Sequence, residues 1–137
     1  MTRADLPAGD FYYIDGTPVM ALLHGLYQAS AGRWGGPPDL VLSGPNEGQN
    51  VGATILTSGT VSAAQVAAGQ GLPAIALSAG TNSEAPDLAN PLSGDIAGLV
   101  LDLLAALEQR AGDGPLLPAG LALNVNFPDE LAGAEWR

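Results

Sequence analysis

A helical period of apolar residues is clearest between residues 96 and 107. Apolar side chains recur there at i, i+3, i+4, i+7, i+8 and i+11, the spacing that places one apolar stripe along an α-helix. Asp95, Asp102 and Glu108 fall outside this stripe and predict a solvated helix face. The stripe consists of Ile96, Leu99, Val100, Leu103, Leu104 and Leu107.

Short apolar runs bounded by glycine and proline predict the strands. Because Pro73 cannot donate a hydrogen bond to a neighbouring strand, we expect it at the start of its strand. Residues 79–94 are rich in Ala, Gly, Asn, Ser and Pro and predict a loop. The predicted strands cover residues 11–14, 39–42, 72–78 and 121–127, and the last of them ends at Pro128.

Two further helices are predicted from capping residues and small apolar side chains. Thr17 is a good helix cap and Pro18 suits a first helical turn, so we expect a helix over residues 19–27. The Gly- and Pro-rich residues 31–38 then predict a loop. A run rich in alanine predicts another helix from about residue 60 to 70, which Gly71 ends.

Strands and helices alternate along the chain in this prediction. Such alternation is typical of an α/β protein in which a largely parallel sheet carries helices on both faces, a three-layer arrangement. The sequence shows no internal repeat and no second domain. We therefore expect a single α/β domain over residues 1–137.

Composition narrows the classes of ligand. Hydrophobic residues make up 47% of the chain, which predicts a folded protein, and aromatic residues only 5%, which predicts a core of small side chains. There is no lysine, and a net charge of −10 argues against binding to nucleic acid or to an anionic membrane. This charge favours a small ligand, a metal cation or a protein partner. The chain has no cysteine and no secretory signal, so we expect a cytoplasmic protein without disulfides.

The connection between the predicted strand 39–42 and the next helix is the leading candidate for a site. Loops that follow the carboxyl ends of parallel strands are where α/β folds bind ligands. Ser43 and Asn46 offer neutral oxygens there, which suit hard cations such as Mg²⁺ or Mn²⁺. The alternative is a glycine-rich turn without a ligand. Gly44, Gly48 and Asn50 would support the conformation of this loop in either case.

Hydroxyl residues at the start of the predicted helix 60–70 suggest an anion site. Ser58, Gly59 and Thr60 would present hydroxyls and backbone N–H groups to a phosphate. The alternative is an ordinary helix cap, which most helices have.

Three other polar residues have weaker claims to a functional role. Asn124 and Asn126 lie on one side of the last predicted strand and would either support the site or satisfy the backbone of a loop, and we favour the second role. His24, the only histidine, lies within a predicted helix among core positions and is expected to be structural.

Four motifs along the chain are distinctive when taken together. They are DLVLSGPNEGQNVG at residues 39–52, SGTVSAA at 58–64, GLPAIALS at 71–78 and LPAGLALNVNFP at 117–128. Together they resemble the motifs of the survival protein SurE family of metal-dependent nucleotidases. A fainter match is GTP at 16–18. The resemblance extends over residues 16–128.

The resemblance implies a Rossmann-like domain and hydrolysis of phosphomonoesters, commonly nucleoside monophosphates. It also implies that Asn46 is a ligand of a divalent metal and that Ser58, Gly59 and Thr60 line the phosphate pocket. A homo-oligomer is expected as well. A dinucleotide-binding domain is excluded, because no G-x-G-x-x-G follows the first predicted strand.

The sequence departs from the family in its acidic metal ligands. The family opens with a strand ending in N-D-D-G, whose two aspartates ligate the metal, and this chain has no Asp-Asp pair. Relative to the family, the chain is expected to be incomplete at both ends. This would expose an edge of the sheet, and we expect that edge to pair with another copy of the chain or to be covered by a rearrangement. Glu47 is the nearest acid able to reach the loop. The alternative to an enzyme is therefore a catalytically inactive SurE-like domain that binds a small anion or a protein, or serves in assembly.

Overall fold

The computed structural model describes residues 2–6, 9–80 and 91–136. Contacts divide the chain into two compact units, Met1–Pro38 and Asp39–Arg137. A single domain over the whole chain stays a prediction. None of the helices in the described ranges is long and apolar enough to cross a membrane.

The N-terminal unit begins with a hairpin of β1 (Thr2–Leu6) and β2 (Gly9–Tyr13), which pair antiparallel from Thr2 and Tyr13 onward. Residues 11–13 of the predicted strand 11–14 lie in β2. Counting this strand toward the parallel sheet was wrong, because β1 and β2 form a separate two-stranded sheet. Only two residues connect these strands, which suits antiparallel pairing, whereas parallel neighbours need a long crossover. Strand β1 was not predicted.

A helical segment follows the hairpin, as α1 (Pro18–His24), one π-helical turn (Gly25–Ala29) and α2 (Ser30–Trp34). The predicted cap is confirmed, since the Met20 N–H donates to Thr17 Oγ1 over 3.3 Å. The sequence predicted a loop from residue 31, but the chain is still helical there. The helix continues until Gly35, whose φ of +75° reverses the chain while its N–H donates to the Ala31 carbonyl.

The second unit is built on a three-stranded parallel sheet in the order β3-β4-β5. These strands are β3 (Val41–Glu47), β4 (Ala74–Ala79) and β5 (Ala122–Asn126), and they confirm the three later strand predictions with shifted ends. Strand β3 extends through residues predicted to be loop. Its register shifts between Ser43 and Asn46, and pairing resumes beyond the shift. Within the described residues β3 pairs only with β4, so it is an edge strand.

Two helices cover this sheet, α3 (Gly59–Gly69) and α4 (Ser93–Ala111), and both were predicted. Strand β4 is buried along its whole length. Its large side chains, Ile75 and Leu77, pack with Ile96 of α4. Because side chains alternate along a strand, Ala74, Ala76 and Ser78 lie on the opposite face, where the alanine-rich α3 packs closely. The α/β fold with helices on both faces is confirmed.

The amphipathic prediction for α4 is also confirmed. Ile96 is buried, and the other stripe residues pack half-buried against the core cluster. Asp95, Asp102 and Glu108 are exposed, as expected for a solvated face. Most of the predicted loop 79–94 lies outside the described residues, but Ala79 belongs to β4 and Ser93 to α4.

Candidate functional site

The candidate loop connects the carboxyl end of β3 to the start of α3. It leaves the strand at Gly48, where a φ of +95° turns the backbone and the N–H donates to the Ala79 carbonyl over 3.0 Å. A short 3-10 helix, Gly52–Thr57, then leads to Ser58. The loop therefore lies at the carboxyl edge of the sheet, as the sequence predicted.

Asn50 fixes this loop to both neighbouring strands. Its backbone N–H donates to Asn126 Oδ1 over 2.7 Å, and its carbonyl accepts from Asn124 Nδ2 over 2.8 Å. Its own side chain donates to Ser78 Oγ over 2.8 Å. Asn50 is 7% exposed and Ser78 is fully buried, so the bond between their side chains is shielded from water, while the two bonds to β5 are partly buried.

This arrangement decides between the two roles left open for Asn124 and Asn126. They satisfy the backbone of the loop, as we favoured, and they do so from adjacent register positions beside Ala76 and Ser78. Asn50 is held by these two residues and by Ser78. Sequence analysis missed Ser78 and also Gln49, whose Nε2 donates to the Phe127 carbonyl over 3.2 Å. A polar residue in an otherwise apolar buried strand was the available signal for Ser78.

Asn46 is half-buried and lines a cavity of about 310 Å³. Its Nδ2 donates to the Gly48 carbonyl over 2.8 Å, a local bond that orients the carboxamide. The bond occupies the amide nitrogen, so the side-chain oxygen is the atom suited to accept from a ligand or to coordinate a cation. The cavity is lined by Pro45, Asn46, Glu47, Ala79, Ser93, Ile96 and Ala97.

Ser43, the other predicted metal ligand, does not line this cavity. It is half-buried in β3 and pairs with Ala76. Gly44 supports the strand through close packing, since a Cβ placed on it would collide with the Leu77 carbonyl oxygen, and its φ is +110°. The structure thus brings Asn46 to the cavity and leaves Ser43 on the strand that leads to it.

The start of α3 is formed by Ser58, Gly59 and Thr60. Ser58 is the helix cap, because its Oγ accepts from the Val61 N–H over 3.1 Å. Ser58 and Thr60 are buried, and none of the three residues is among those that line the cavity beside Asn46. The capping alternative is therefore confirmed, while phosphate binding at this helix start stays a prediction. The first amides of α3 have no acceptor within the helix, as at any helix start.

Acidic side chains do not gather around Asn46 in the described part of the chain. Glu47 lines the same cavity and is exposed, and Asp39 and Asp15 are exposed in other segments. In residues 2–6, 9–80 and 91–136 there is no group of three or more His, Asp or Glu side chains placed to hold a metal ion. The described residues therefore offer neutral oxygens and one exposed carboxylate, which is too little charge for a divalent metal site by themselves.

The described polar groups are otherwise well satisfied. Within the described ranges, every fully buried side-chain nitrogen or oxygen has a hydrogen-bond partner. His24 is half-buried at the end of α1, in the N-terminal unit. The features of the second unit that distinguish a candidate site are thus the loop held by Asn50, the cavity beside Asn46 and the capped start of α3.

Comparison with known proteins relates this chain to one family. A sequence model of the family described as Survival protein SurE matches residues 2–137. The 5'-nucleotidase SurE of Sorangium cellulosum is 42% identical over 128 residues, which cover 91% of this chain and 43% of that protein. The 5'-nucleotidase SurE 1 of Thermus thermophilus is 38% identical over 124 residues, which cover 90% of this chain and 42% of that protein.

A solved structure agrees with these sequence matches. The crystal structure of the SurE protein from Aquifex aeolicus superposes with a TM-score of 0.64 and 35% sequence identity, over 85% of this chain and 42% of that chain. This chain spans less than half the length of the relatives it matches. The family match nevertheless extends over nearly all of its residues. The chain belongs to the survival protein SurE family.

Proposed function

We propose that this chain carries the ligand-binding loop of a metal-dependent phosphomonoesterase that hydrolyses nucleoside monophosphates. The observation that carries the proposal is the position of Asn46, which lines a cavity of about 310 Å³ at the carboxyl edge of a parallel sheet. Relatives named 5'-nucleotidase SurE support the substrate class. The proposal includes Mg²⁺ or Mn²⁺ as the cofactor, a cytoplasmic location and assembly into a homo-oligomer.

In this proposal Asn46 and the start of α3 have different tasks. The bond from Asn46 Nδ2 to the Gly48 carbonyl orients the carboxamide, so that its oxygen is the polar atom for a cation or a substrate donor. At the helix start, the backbone amides of Gly59 and Thr60 favour a phosphate through the helix dipole. Local N–H groups are needed for this purpose because the chain as a whole carries a net charge of −10 and repels anions.

The described residues do not complete a site for the metal. Asn46 and Ser43 are neutral, and the exposed Glu47 is the one carboxylate that lines the cavity. Divalent cations of this class are usually held by carboxylates together with water and substrate phosphate. We therefore assign no catalytic step to a metal held by these residues alone.

The alternative function is an inactive domain that binds a small anion or a protein, or serves in assembly. This alternative is favoured by the lack of a group of three or more acidic or histidine side chains within the described ranges. Such a domain would keep the α3 helix start, and therefore phosphate binding, but would not turn over a phosphomonoester.

Hydrolysis of a generic phosphomonoester, with Mn²⁺ or Mg²⁺ and with EDTA, tests the proposal. We expect whatever turnover the chain shows to require the added metal and to fall to the EDTA background in Asn46→Ala. Gln65→Ala, which changes an exposed polar residue of α3, is the matched control and should retain full turnover. Turnover that survives Asn46→Ala would contradict the proposal. Folded protein that binds inorganic phosphate without turnover would instead support the alternative.

A further inference from the structure

Phe127 and Trp136 form an aromatic pair beyond the carboxyl end of β5. Their ring centroids are 6.0 Å apart and the ring planes meet at 73°, which is an edge-to-face contact. Phe127 is 3% exposed and belongs to the core, whereas Trp136 is 59% exposed. The contact therefore anchors the indole on the core and leaves much of its surface open to a ligand.

A turn between the two rings brings Trp136 back to Phe127. The Ala134 N–H donates to the Leu131 carbonyl over 3.1 Å, and Gly133 within this turn has a φ of +75°. A positive φ at the third residue of a turn is the reason why glycine is favoured there. The backbone thus sets the position of the indole without any ligand.

A cavity of about 90 Å³ lies beside Trp136. Two polar side chains line it, those of Asn126 and Glu135. Asn126 Oδ1 already accepts from the Asn50 N–H, and Glu135 is the charged residue that lines the cavity in the described part of the chain. The remaining walls are apolar and come from Leu99, Phe127, Pro128, Leu131 and Ala134.

The charge around this cavity favours a cation. Residues 127–136 contain three acidic side chains and no arginine or lysine. Over residues 39–137 there are eleven acidic residues and two arginines, Arg110 and Arg137, and Arg137 lies outside the described residues. Such a surface attracts cations and repels phosphates and carboxylates. A nucleotide is therefore a poor occupant.

The size and the walls of the cavity decide which cation fits. Pockets that enclose drug-sized ligands measure roughly 300 Å³ or more, so this cavity admits only a small group. A hard metal ion needs several oxygen ligands, and one carboxylate among apolar walls does not supply them. A methylated ammonium ion carries its charge under an apolar surface. It suits an indole, which is the best aromatic partner for a cation.

We propose that Trp136 and Glu135 bind a small methylated ammonium ion of the choline or tetramethylammonium type. The methyl groups of the ion lie against the indole and the apolar walls, and the Glu135 carboxylate offsets its charge. Phe127 acts through Trp136, whose ring it holds in place. This site is separate from the cavity beside Asn46, and it goes beyond the proposed phosphatase function.

Titration of the full chain with tetramethylammonium chloride, followed by the NMR shift of the Trp136 indole N–H, tests this site. Sodium chloride at equal concentration controls for ionic strength. We expect a saturable shift for Trp136 and none for Trp34, which is similarly exposed at 66% but belongs to the N-terminal unit.

A second comparison separates charge from shape. The neutral analogue of choline, in which carbon replaces the quaternary nitrogen, has the same shape but no charge. We expect it to bind at least about ten-fold more weakly than choline, because the attraction to the indole and to Glu135 depends on the charge. Equal binding of the two compounds would overturn the proposal.

Three variants assign the binding to the named side chains. Trp136→Leu keeps apolar bulk but removes the aromatic face, and should raise the dissociation constant of tetramethylammonium at least about ten-fold. Glu135→Gln should raise it about three-fold. Glu130→Gln is the matched control, because it removes an exposed carboxylate of the same segment that does not line this cavity, and it should change the constant by less than about two-fold.

The backbone amides of Ala134 and Glu135 report binding where the indole is absent, and circular dichroism verifies that each variant folds. Equal weakening by Glu135→Gln and Glu130→Gln would overturn the proposal, as would the lack of a saturable shift at Trp136 in the wild-type chain. Unchanged affinity in Trp136→Leu would do the same.

Vesicles of phosphatidylcholine distinguish a free ion from a lipid head group that carries the same ammonium. We expect the chain not to cosediment with them, because the phosphate beside each lipid ammonium would be repelled by the acidic segment 127–136. Cosedimentation that Trp136→Leu abolishes would overturn the assignment to a free ion. These measurements involve neither phosphate turnover nor a metal, so their result is independent of the proposed phosphatase activity.

Discussion

The backbone N–H of Asn50 donates to Oδ1 of Asn126 over 2.7 Å, across 76 residues of sequence. The carbonyl of the same loop residue accepts from Asn124, two positions earlier on β5. One strand thus satisfies both backbone groups of a buried loop residue that has no partner strand of its own. The bonds determine where the loop runs, and hence where Asn46 and the start of α3 lie at its two ends.

Asn126→Ala removes the acceptor of the Asn50 N–H and should lower the free energy of unfolding by about 1–3 kcal/mol, because a largely buried donor is left unsatisfied. Asn126→Asp keeps an oxygen in the same position, and we expect it to lose less than half as much. Urea denaturation of both variants measures the difference.

Gln109→Ala, on the exposed face of α4, is the control for Asn126→Ala and should change stability by less than about 0.5 kcal/mol. If Asn126→Asp and Asn126→Ala destabilise the protein equally, acceptance from Asn50 is not what Asn126 contributes. The packing of its side chain would then explain the loss.

The side-chain bond between Asn50 and Ser78 should be visible as an energetic coupling. The two residues form a buried contact of 2.8 Å, so a double-mutant cycle with Asn50→Ala and Ser78→Ala should give a coupling of about 0.5–3 kcal/mol in unfolding free energy. A second cycle pairs Asn50→Ala with Ser62→Ala on α3. We expect additivity there, and equal coupling in both cycles would mean that the effect is not specific to this bond.

Regular periodicity and end signals made much of the fold predictable. The stripe from Ile96 to Leu107 predicted α4, and the run that ends at Ser78 predicted the buried β4. Thr17 and Pro18 predicted the start of α1 by a mechanism that the structure shows, a side-chain cap on the Met20 N–H. These signals are local in sequence, and they predict correctly where local geometry decides the position of a helix or a strand.

The predictions failed where distant contacts decide the structure. Gly44 and Pro45 indicate a loop by composition, yet β3 continues past them, because Asn46 and Glu47 resume pairing with β4. The positions of Asn124 and Asn126 on one side of a strand were predictable, but their partner was not, since Asn50 lies more than 70 residues away. The cavity beside Asn46 likewise depends on α4, which sequence spacing alone does not place.

Gly44→Ala should be strongly destabilising, by more than about 2 kcal/mol, because the new Cβ would collide with the Leu77 carbonyl and a φ of +110° strains any L side chain. Gly98→Ala is the matched control within a helix. No atom lies within 4 Å of a Cβ built at Gly98, so this substitution should stabilise the protein by about 0.5–1 kcal/mol. Thermal and urea unfolding compare the stabilities of the two variants. An unchanged free energy of unfolding in Gly44→Ala would show that β3 and β4 separate easily at this point.

Substitutions of Ser58 separate its capping role from phosphate binding. Ser58→Ala removes the acceptor for the Val61 N–H and should cost about 0.5–2 kcal/mol of stability. Ser58→Asp retains a capping oxygen, and its charge favours the helix dipole, so stability should stay within about 0.5 kcal/mol of wild type. The same carboxylate would repel a phosphate at the helix start, and we expect it to weaken inorganic phosphate binding at least about ten-fold.

Binding of inorganic phosphate is measured by the NMR shifts of the Gly59 and Thr60 amides, which would contact the anion. Thr17→Asp makes a similar change at the cap of α1, which belongs to the N-terminal unit, and should leave phosphate affinity unchanged. Undiminished phosphate binding in Ser58→Asp, or amide shifts that do not respond to phosphate in the wild-type chain, would reduce the start of α3 to an ordinary helix cap. A selective loss in Ser58→Asp, with stability retained, would make it the anion-binding part of the site.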